Sequence, residues 1–396
     1  INACSTLLSI ALLIITILII PRLHAYTAVM AVQSLALLGN LIGVTWLYSV
    51  VEDYVYITIR SLATHITALV LMFIFVHDQN DYVFYAATTV VANAGANIFN
   101  FFHVKKYVKV RITTHFNLKK HLKPVLIIFA STVTTTIYVN SDTTILGFLA
   151  GDYYVGLYST AVKVYTVLKS CIAAVILVSL PRLSNYLASG RKDDFKQTAN
   201  RIFKMFTMIL LPIVIGIMMT SDAIIHVIAG PSYAEAALSL RILSISLIFS
   251  MLATYFTNAV LLPYNQEITV LRGTVMSGII NVVLNFILLA QFKQNGAAFT
   301  TVIAEMFIFV YQYIYARKLL KIELDKKYIL SVAVGCVGIV VTCIVIDFVV
   351  SVFALNLILK ITLSILIYAV ALLVLKNDVA ASALQSIIIK LRYKRD

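Results

Sequence analysis

The chain has 396 residues, of which 61% are hydrophobic and 12% charged, about half the roughly 25% charge of a soluble domain. With a mean hydropathy of +0.96, so much apolar surface excludes a water-soluble globule and makes lipid the solvent. Lysine and arginine outnumber aspartate and glutamate by 31 to 17, an excess that in a membrane protein reports orientation, not nucleic-acid binding.

Apolar runs of about 20 residues, each enough to span a bilayer, recur along the whole chain. In order they predict an all-α polytopic membrane protein of twelve helical spans, at roughly 3–20, 25–47, 55–76, 82–103, 124–146, 154–180, 203–221, 233–262, 268–291, 296–316, 328–350 and 353–376. Connections are short, and no soluble domain is inserted. The segment Asp222–Ser232, DAIIHVIAGPS, is too short to cross and is expected at an interface. Cys4, Cys171, Cys336 and Cys343 all lie inside apolar runs without paired or metal-like spacing. They read as small buried fillers.

The connections fix the orientation. PRLHAY, HDQND, AGD, FKQNG and SVF, on one side, carry only Arg22 and Lys293. The other side holds HVKKYVKVRITTHFNLKKHLK, PRLSNYLASGRKDDFKQTANRIFK, ARKLLKIELDKK and the tail ending LRYKRD, with Arg60 and Arg272 at span ends, and collects 25 of the 31 cations. That side is the cytoplasm by the positive-inside rule. An even number of spans places both ends of this chain there. The tail ALQSIIIKLRYKRD reads as a short surface helix on anionic lipid.

Polar residues inside the spans fall in rows at helical spacing. The fourth span gives Asn93, Asn97 and Asn100. The fifth gives Ser131, Thr135, Tyr138 and Asp142, and the sixth Thr160, Lys163, Thr166 and Ser170. The ninth gives Ser277, Asn281 and Asn285, and the tenth Thr301, Glu305 and Gln312. Small polar residues often join neighbouring helices. The charges demand more, because a charge at mid-membrane costs several kcal/mol, about 2.5–3.5 even on the lenient scale. Lys163 lies about 13 Å below the outer end of its helix at ~1.5 Å rise per residue, too deep for simple snorkelling, and Glu305 is comparably deep. Either a buried Lys–Glu or Arg–Glu pair joins two helices, or the rows line a water-filled cavity. The candidate charges are Lys163, Lys169 and Arg241 against Glu305, with Asp142 nearer the outer mouth and Arg60 at the cytoplasmic edge. The balance is positive and suits phosphate or another anion; a cationic drug would call for an acidic pocket. Lys163, Lys169, Arg241 and Arg60 are therefore the candidate substrate-binding residues. Glu305 and Asp142 are candidate ion-coupling or counter-ion residues. Thr135, Tyr138, Thr160, Thr166, Asn93, Asn97, Asn281 and Asn285 are candidate cavity-lining polar groups.

Enzyme signatures are missing from the sequence. No glycine-rich phosphate loop with its lysine, HExxH, CxxC or GxSxG occurs. The longest outer connection is only about a dozen residues, too short for the catalytic loop of a membrane glycosyltransferase. The sequence predicts a transporter with no cofactor and no metal.

DTTILGFLAGDYYVGLYSTAVKVY is followed by LPRLSNYLASG and then HVIAGPSYAEAALSLRIL. This succession resembles the Wzx-type oligosaccharide flippases of the multidrug/oligosaccharidyl-lipid/polysaccharide exporter superfamily. WLYSVVEDYVYITIRS, Trp46 to Ser61, is similar to a stretch of the Gram-positive polysaccharide members. The likeness runs from about residue 1 to 320 and is most specific across Asp142–Leu183. It implies two six-helix lobes around a central cavity, with an extra helix pair. Residues 1–103 would be four helices of the N-lobe, 104–123 a basic cytoplasmic linker, and 124–318 the six-helix C-lobe. Residues 319–376 would be the extra pair and 377–396 a basic cytoplasmic tail. Against that template the first two helices are missing, as in a truncated sequence. The implied activity is to move undecaprenyl-diphosphate-linked sugar repeat units across the bacterial cytoplasmic membrane for capsule or another surface polysaccharide. Lys163 and Lys169 would face the lipid-linked oligosaccharide diphosphate, and candidate partners are H⁺ or Na⁺ and the polysaccharide polymerase machinery. A lipid II flippase and an ion-coupled multidrug antiporter share the fold and remain alternatives.

Overall fold

The computed structural model describes residues 2–41, 43–44, 47–48, 53–107, 140–177, 180–350 and 352–382. The chain divides into two compact units, Ile1–Leu118 and Lys119–Asp396, and the described residues of both are helical. Among the described residues, six helices are long and apolar enough to cross a membrane. One of these, Glu267–Ala316, is two crossing helices in succession, joined by a non-helical residue at Lys293.

The first unit contains α1 (Asn2–Ile19), α2 (Thr27–Leu41), α3 (Tyr54–Phe75) and α4 (Tyr82–His103). Pro21 opens a 3₁₀ turn, Pro21–Tyr26, between α1 and α2. Asp53 caps α3 by accepting the Tyr56 amide at 3.3 Å, and an Asp78–Asp81 capping box precedes α4. Small residues let α2 approach α4: a Cβ on Gly39 would lie 2.7 Å from the Ala94 Cβ. Polar side chains join the same helices, with Gln33 Nε2 donating to Thr89 Oγ1 at 2.6 Å and Asn97 Nδ2 to Asn40 Oδ1 at 3.0 Å.

The second unit contains α5 (residues 140–149), α6 (Asp152–Leu177), α7 (Leu180–Ala188), α8 (Lys192–Ala229), α9 (Ala236–Tyr255), α10 (Glu267–Ala316), α11 (Lys326–Val349) and α12 (Phe353–Val374). One element corrects the sequence reading. DAIIHVIAGPS does not lie apart at an interface: Asp222–Ala229 is the last part of α8, which runs 38 residues without a break. Its first turns, KDDFKQTANRIFK, are good helix formers, and termination waits for Gly230, whose φ of +80° no L side chain adopts cheaply, and then Pro231. LPRLS opens α7, where the proline occupies the first turn and its missing N–H costs nothing.

The helix α10 reverses at Lys293, whose φ of 50° and ψ of −129° are not helical. The arms, α10a (residues 267–292) and α10b (residues 294–316), fold back on each other. Ser277 Oγ donates to the Ala304 carbonyl at 2.7 Å, and a Cβ on Gly273 would strike the Tyr311 ring at 2.8 Å. The ninth and tenth expected spans are these arms. α11 and α12 pack on α8 through Tyr328 OH with Thr207 Oγ1 and through Tyr368 OH donating to the Met208 carbonyl, both at 2.7 Å. Cys336 and Cys343 are buried, as expected of small fillers, whereas Cys171 is exposed on α6.

Candidate functional site

Two polar sites lie between α5, α6 and α10 in the second unit. The first centres on Asp142, which is 7% exposed. Its Oδ1 accepts Asn285 Nδ2 at 2.6 Å, and its Oδ2 accepts Thr301 Oγ1 and Tyr158 OH, each at 2.8 Å. Asn285 is held in turn by Thr300 Oγ1, which donates to its Oδ1 at 2.5 Å. Asn281 Oδ1 accepts Ser141 Oγ at 3.0 Å and Asn285 Nδ2 at 3.2 Å. Among the described residues, no lysine, arginine or histidine nitrogen comes within 4.0 Å of this carboxyl. Its donors among the described residues are all neutral.

The reversal at Lys293 assembles this site. Asn285 lies eight residues before it and Thr301 eight after, so each is about 12 Å along its arm from the turn. The antiparallel arms bring the two side chains level, and α5 lays Asp142 between them.

The second site is one turn further along α10b. Glu305 Oε1 meets Lys169 Nζ of α6 at 3.0 Å, with the carboxylate side chain 9% exposed and the lysine side chain 34% exposed. The lysine nitrogen also stands 5.5 Å from the Tyr165 ring centre, one helical turn back, a distance that permits a cation–π contribution. Depth alone pointed to Lys163 or Arg241 beside Glu305; the structure places Lys169 there. Lys163 and Lys169 are six residues apart, which at about 100° per residue separates them by roughly 120° around the helix. Only one of the two can face α10b.

Lys163 lies on the exposed face of α6 with Thr166 and Ser170, and Thr160 is half-buried. Thr160 and Ser170 each donate to the carbonyl four residues back, at 2.9 Å. Arg241 is ion-paired with Asp222 of α8, and both side chains are exposed. In the first unit, Arg60 is 6% exposed, donates to the Ala96 carbonyl at 3.3 Å and stands 5.7 Å from the Tyr48 ring and 5.9 Å from the Tyr56 ring. Asn97 is buried in the α2–α4 contact, while Asn93 is exposed. Thr135, Tyr138 and the tail ALQSIIIKLRYKRD lie outside the described residues.

Several functional candidates escape a reading of the sequence. Tyr158 and Thr300 bind the Asp142 site but belong to none of the polar rows. Tyr158 stands two residues before Thr160, hence on another face of α6, and its signal would be the hydroxyl of a buried tyrosine. Tyr48, Tyr56, His103 and Tyr107 enclose the region of Arg60, with Tyr56 and His103 ring centres 4.0 Å apart and Tyr107 OH donating to Asp53 Oδ2 at 2.5 Å.

A model of the family described as Polysaccharide biosynthesis protein matches residues 1–187. Over 300 residues the chain is 25% identical to a protein of Escherichia coli (strain K12) described as "Putative O-antigen transporter", covering 74% of this chain and 70% of that one. Over 163 residues it is 26% identical to a probable low-salt glycan biosynthesis flippase of Haloferax volcanii, covering 41% of this chain and 34% of that one. In fold it is similar to the lipid II flippase MurJ in an inward closed conformation, with a TM-score of 0.76 over 95% of this chain and 83% of MurJ, at 16% identity.

Helices long and apolar enough to cross a membrane, polar and charged groups between them, and the MurJ-like fold define a multi-pass membrane protein. More particularly, the family match and the relatives described as O-antigen transporter and glycan biosynthesis flippase bear out the resemblance to the Wzx-type polysaccharide flippases read from the sequence.

Proposed function

We infer that this chain carries oligosaccharide units linked through a diphosphate to undecaprenol across the bacterial cytoplasmic membrane, for capsule or another surface polysaccharide. It works as a transporter with no covalent step. The observation that carries the reading is Lys169: a cation on α6, a helix whose apolar run predicts a membrane span, balanced by Glu305 yet still one-third exposed. A lysine buried only for structure would be sealed, because an open one gains little from its pair. An anionic substrate can reach this one and exchange Glu305 for its own phosphate oxygens through charge-assisted hydrogen bonds.

Lys163, exposed on the same helix, supplies a second point charge along the path. Arg241, balanced by Asp222, and Arg60, between two tyrosines, hold their helices in this arrangement. Asp142 is the coupling group: a carboxylate that, among the described residues, meets only neutral donors on neighbouring helices has room in its charge balance for H⁺ or Na⁺. Glu305 is the counter-ion. The positive sign of the exposed intramembrane charges disfavours an antiporter for cationic drugs. The names of the relatives favour a polysaccharide unit over lipid II, because the likeness to MurJ concerns the fold. The polysaccharide polymerase is the partner that would receive the flipped unit.

The test is made in cells depleted of the protein. Lipid-linked oligosaccharide accumulating in the inner leaflet, where only cytoplasmic reagents reach it, is the expected result. Unchanged lipid-linked pools with normal surface polysaccharide would overturn the reading.

A further inference from the structure

At its cation-rich end, α8 forms one wall of a polar pocket of about 710 Å³, within the roughly 300–1,000 Å³ of ligand sites. The other walls are the linker from α10b to α11 and the turn that follows α12. Two asparagines hold these walls in place. Asn200 of α8 clasps the linker, accepting the Glu323 amide at 2.8 Å and donating to the Lys321 carbonyl at 3.4 Å. Asn377, which is 2% exposed, donates to Ser331 Oγ of α11 at 2.7 Å and accepts the Val379 and Ala380 amides at 3.1 and 3.2 Å.

The charges of this pocket are sorted by wall. α8 contributes Lys196, Arg201 and Lys204 against Asp193, whereas the other two walls contribute Glu323, Asp325 and Asp378 against Lys321. Lys204 and Asp325 meet at 2.7 Å. Among the described residues, the other six side chains meet no opposite charge within 4.0 Å. Cations and carboxylates balance, so a purely anionic headgroup loses at one wall what it gains at the other. A ligand carrying a phosphate and an ammonium group satisfies both walls. An exposed pair such as Lys204–Asp325 is worth little by itself and yields to such a ligand.

An apolar groove begins one helical turn further along α8. The row Lys196, Asn200, Lys204 continues at the same spacing as Met208, Pro212 and Gly216, and these three line a groove of about 470 Å³ against α11 and α12. Pro212 has no N–H, so the Met208 carbonyl loses its helical partner and Tyr368 OH takes its place at 2.7 Å. A Cβ on Gly216 would meet nothing within 4 Å, which leaves the groove open there. On α12 the groove runs from Leu372 to Lys360, about 18 Å at ~1.5 Å rise per residue and close to half of the ~30 Å hydrocarbon core. Lys360 is already paired with Asp347 at 2.5 Å, so the far end of the groove offers no spare charge to a headgroup. We propose that pocket and groove together hold one aminophospholipid of the phosphatidylethanolamine kind. Its phosphate rests on Lys196, Arg201 and Lys204, its ammonium group among Glu323, Asp325 and Asp378, and one acyl chain in the groove. A soluble zwitterion would leave the groove unused. The site does not depend on the flippase reading, and the cation bias assigns its lipid to the cytoplasmic leaflet.

The test is native mass spectrometry of the delipidated full chain with equimolar phosphatidylethanolamine, phosphatidylglycerol and phosphatidylcholine of equal chain length. Phosphatidylethanolamine should be retained about fivefold over either rival, the scale of one partly exposed ion pair. The choline headgroup has no N–H for the carboxylates, and the glycerol headgroup has no cation. Glu323→Gln combined with Asp378→Asn should abolish the preference and turn it towards phosphatidylglycerol. Lys196→Gln combined with Arg201→Gln should weaken retention of all three lipids. Competition on the unaltered chain tests the site without a variant: neither glycerophosphoethanolamine, the headgroup without chains, nor undecaprenyl phosphate should displace the bound lipid at equal concentration. Equal retention of the three lipids, or a preference that survives Glu323→Gln with Asp378→Asn, would overturn the proposal. Displacement by glycerophosphoethanolamine would overturn it in favour of a soluble ligand, and displacement by undecaprenyl phosphate would give the groove to the transported lipid instead.

Discussion

Asp142, on α5 against both arms of α10, and Glu305, on α10b against α6, are both buried carboxylates, and their surroundings differ in kind. Glu305 has its cation: Lys169 Nζ at 3.0 Å. Asp142 has three neutral donors between 2.6 and 2.8 Å and no cation among the described residues. A paired carboxylate holds a lysine in place, and its charge is already answered. A carboxylate that collects only neutral hydrogen bonds carries its full charge in a poor solvent and can exchange that state for a bound proton or metal cation. One position serves to balance a charge that a substrate can claim. The other is suited to an ion. Sequence spacing makes the two look equivalent, since each is one more acidic residue in a polar row.

The contrast breaks most severely at Asp142. Asp142→Ala would leave the Asn285, Thr301 and Tyr158 donors buried without an acceptor, at about 1–3 kcal/mol each. Thermal unfolding in detergent should show a larger loss of stability than any other single substitution at the two carboxylate sites, and a near-native melting temperature would mean that the donors find other partners. Glu305→Gln comes next. Breaking a sealed ion pair costs about 3–5 kcal/mol, and because the Lys169 side chain is one-third exposed the loss should be smaller, about 1–3 kcal/mol. Adding Lys169→Met should recover much of it. A double variant no better than Glu305→Gln alone would show that the pair is not the source of the loss.

Tyr158→Phe removes one donor of three from Asp142 and should cost about 1–2 kcal/mol. A loss as large as that of Asp142→Ala would mean that Tyr158 packs the site rather than merely donating to it. The smallest effect belongs to an exposed pair. Asp325, ahead of α11, meets Lys204 of α8 at 2.7 Å, and this ammonium holds its carboxyl below the usual carboxylate range. A depressed carboxyl stabilises the fold at neutral pH, and the contribution fades as pH falls from about 4 through the folded value. Asp325→Asn should therefore cost under about 1 kcal/mol at pH 7, and the difference from the native protein should vanish in acid. A gap that persists once the pH is below the lowered folded value, where both forms are protonated, would assign the effect to helix capping.

Much of the scaffold is legible from residues alone. The breaks between apolar runs locate the helices, and FKQNG marks the reversal that the structure places at Lys293. The rows containing Asn281, Asn285 and Thr301 correctly mark a polar contact between spans. Rotation is not legible. Depth singles out Lys163, yet helix phase turns Lys169 towards Glu305 and leaves Lys163 on the exposed face. Asp142 is expected near an outer mouth, but the folding back of α10b encloses it, and a reversal's closing partner is a long-range fact that periodicity does not carry. The length of α8 is hidden for a different reason: charged helix formers at its start resemble a loop when only hydropathy is followed. Arg60 looks like an accessible edge cation because the tyrosines beside it are scattered through Tyr48–Tyr107 and meet only in the fold.

The central claim is the division of labour between the two carboxylates, and flipping of a fluorescent diphosphate-linked glycolipid in proteoliposomes under an imposed pH or Na⁺ gradient tests it most directly. Asp142→Asn, which keeps the size of the side chain, should yield a folded protein whose flipping no longer responds to the gradient, while Glu305→Gln should flip more slowly but still follow it. Gradient-dependent flipping in Asp142→Asn together with its loss in Glu305→Gln would contradict the account and transfer the coupling role to Glu305.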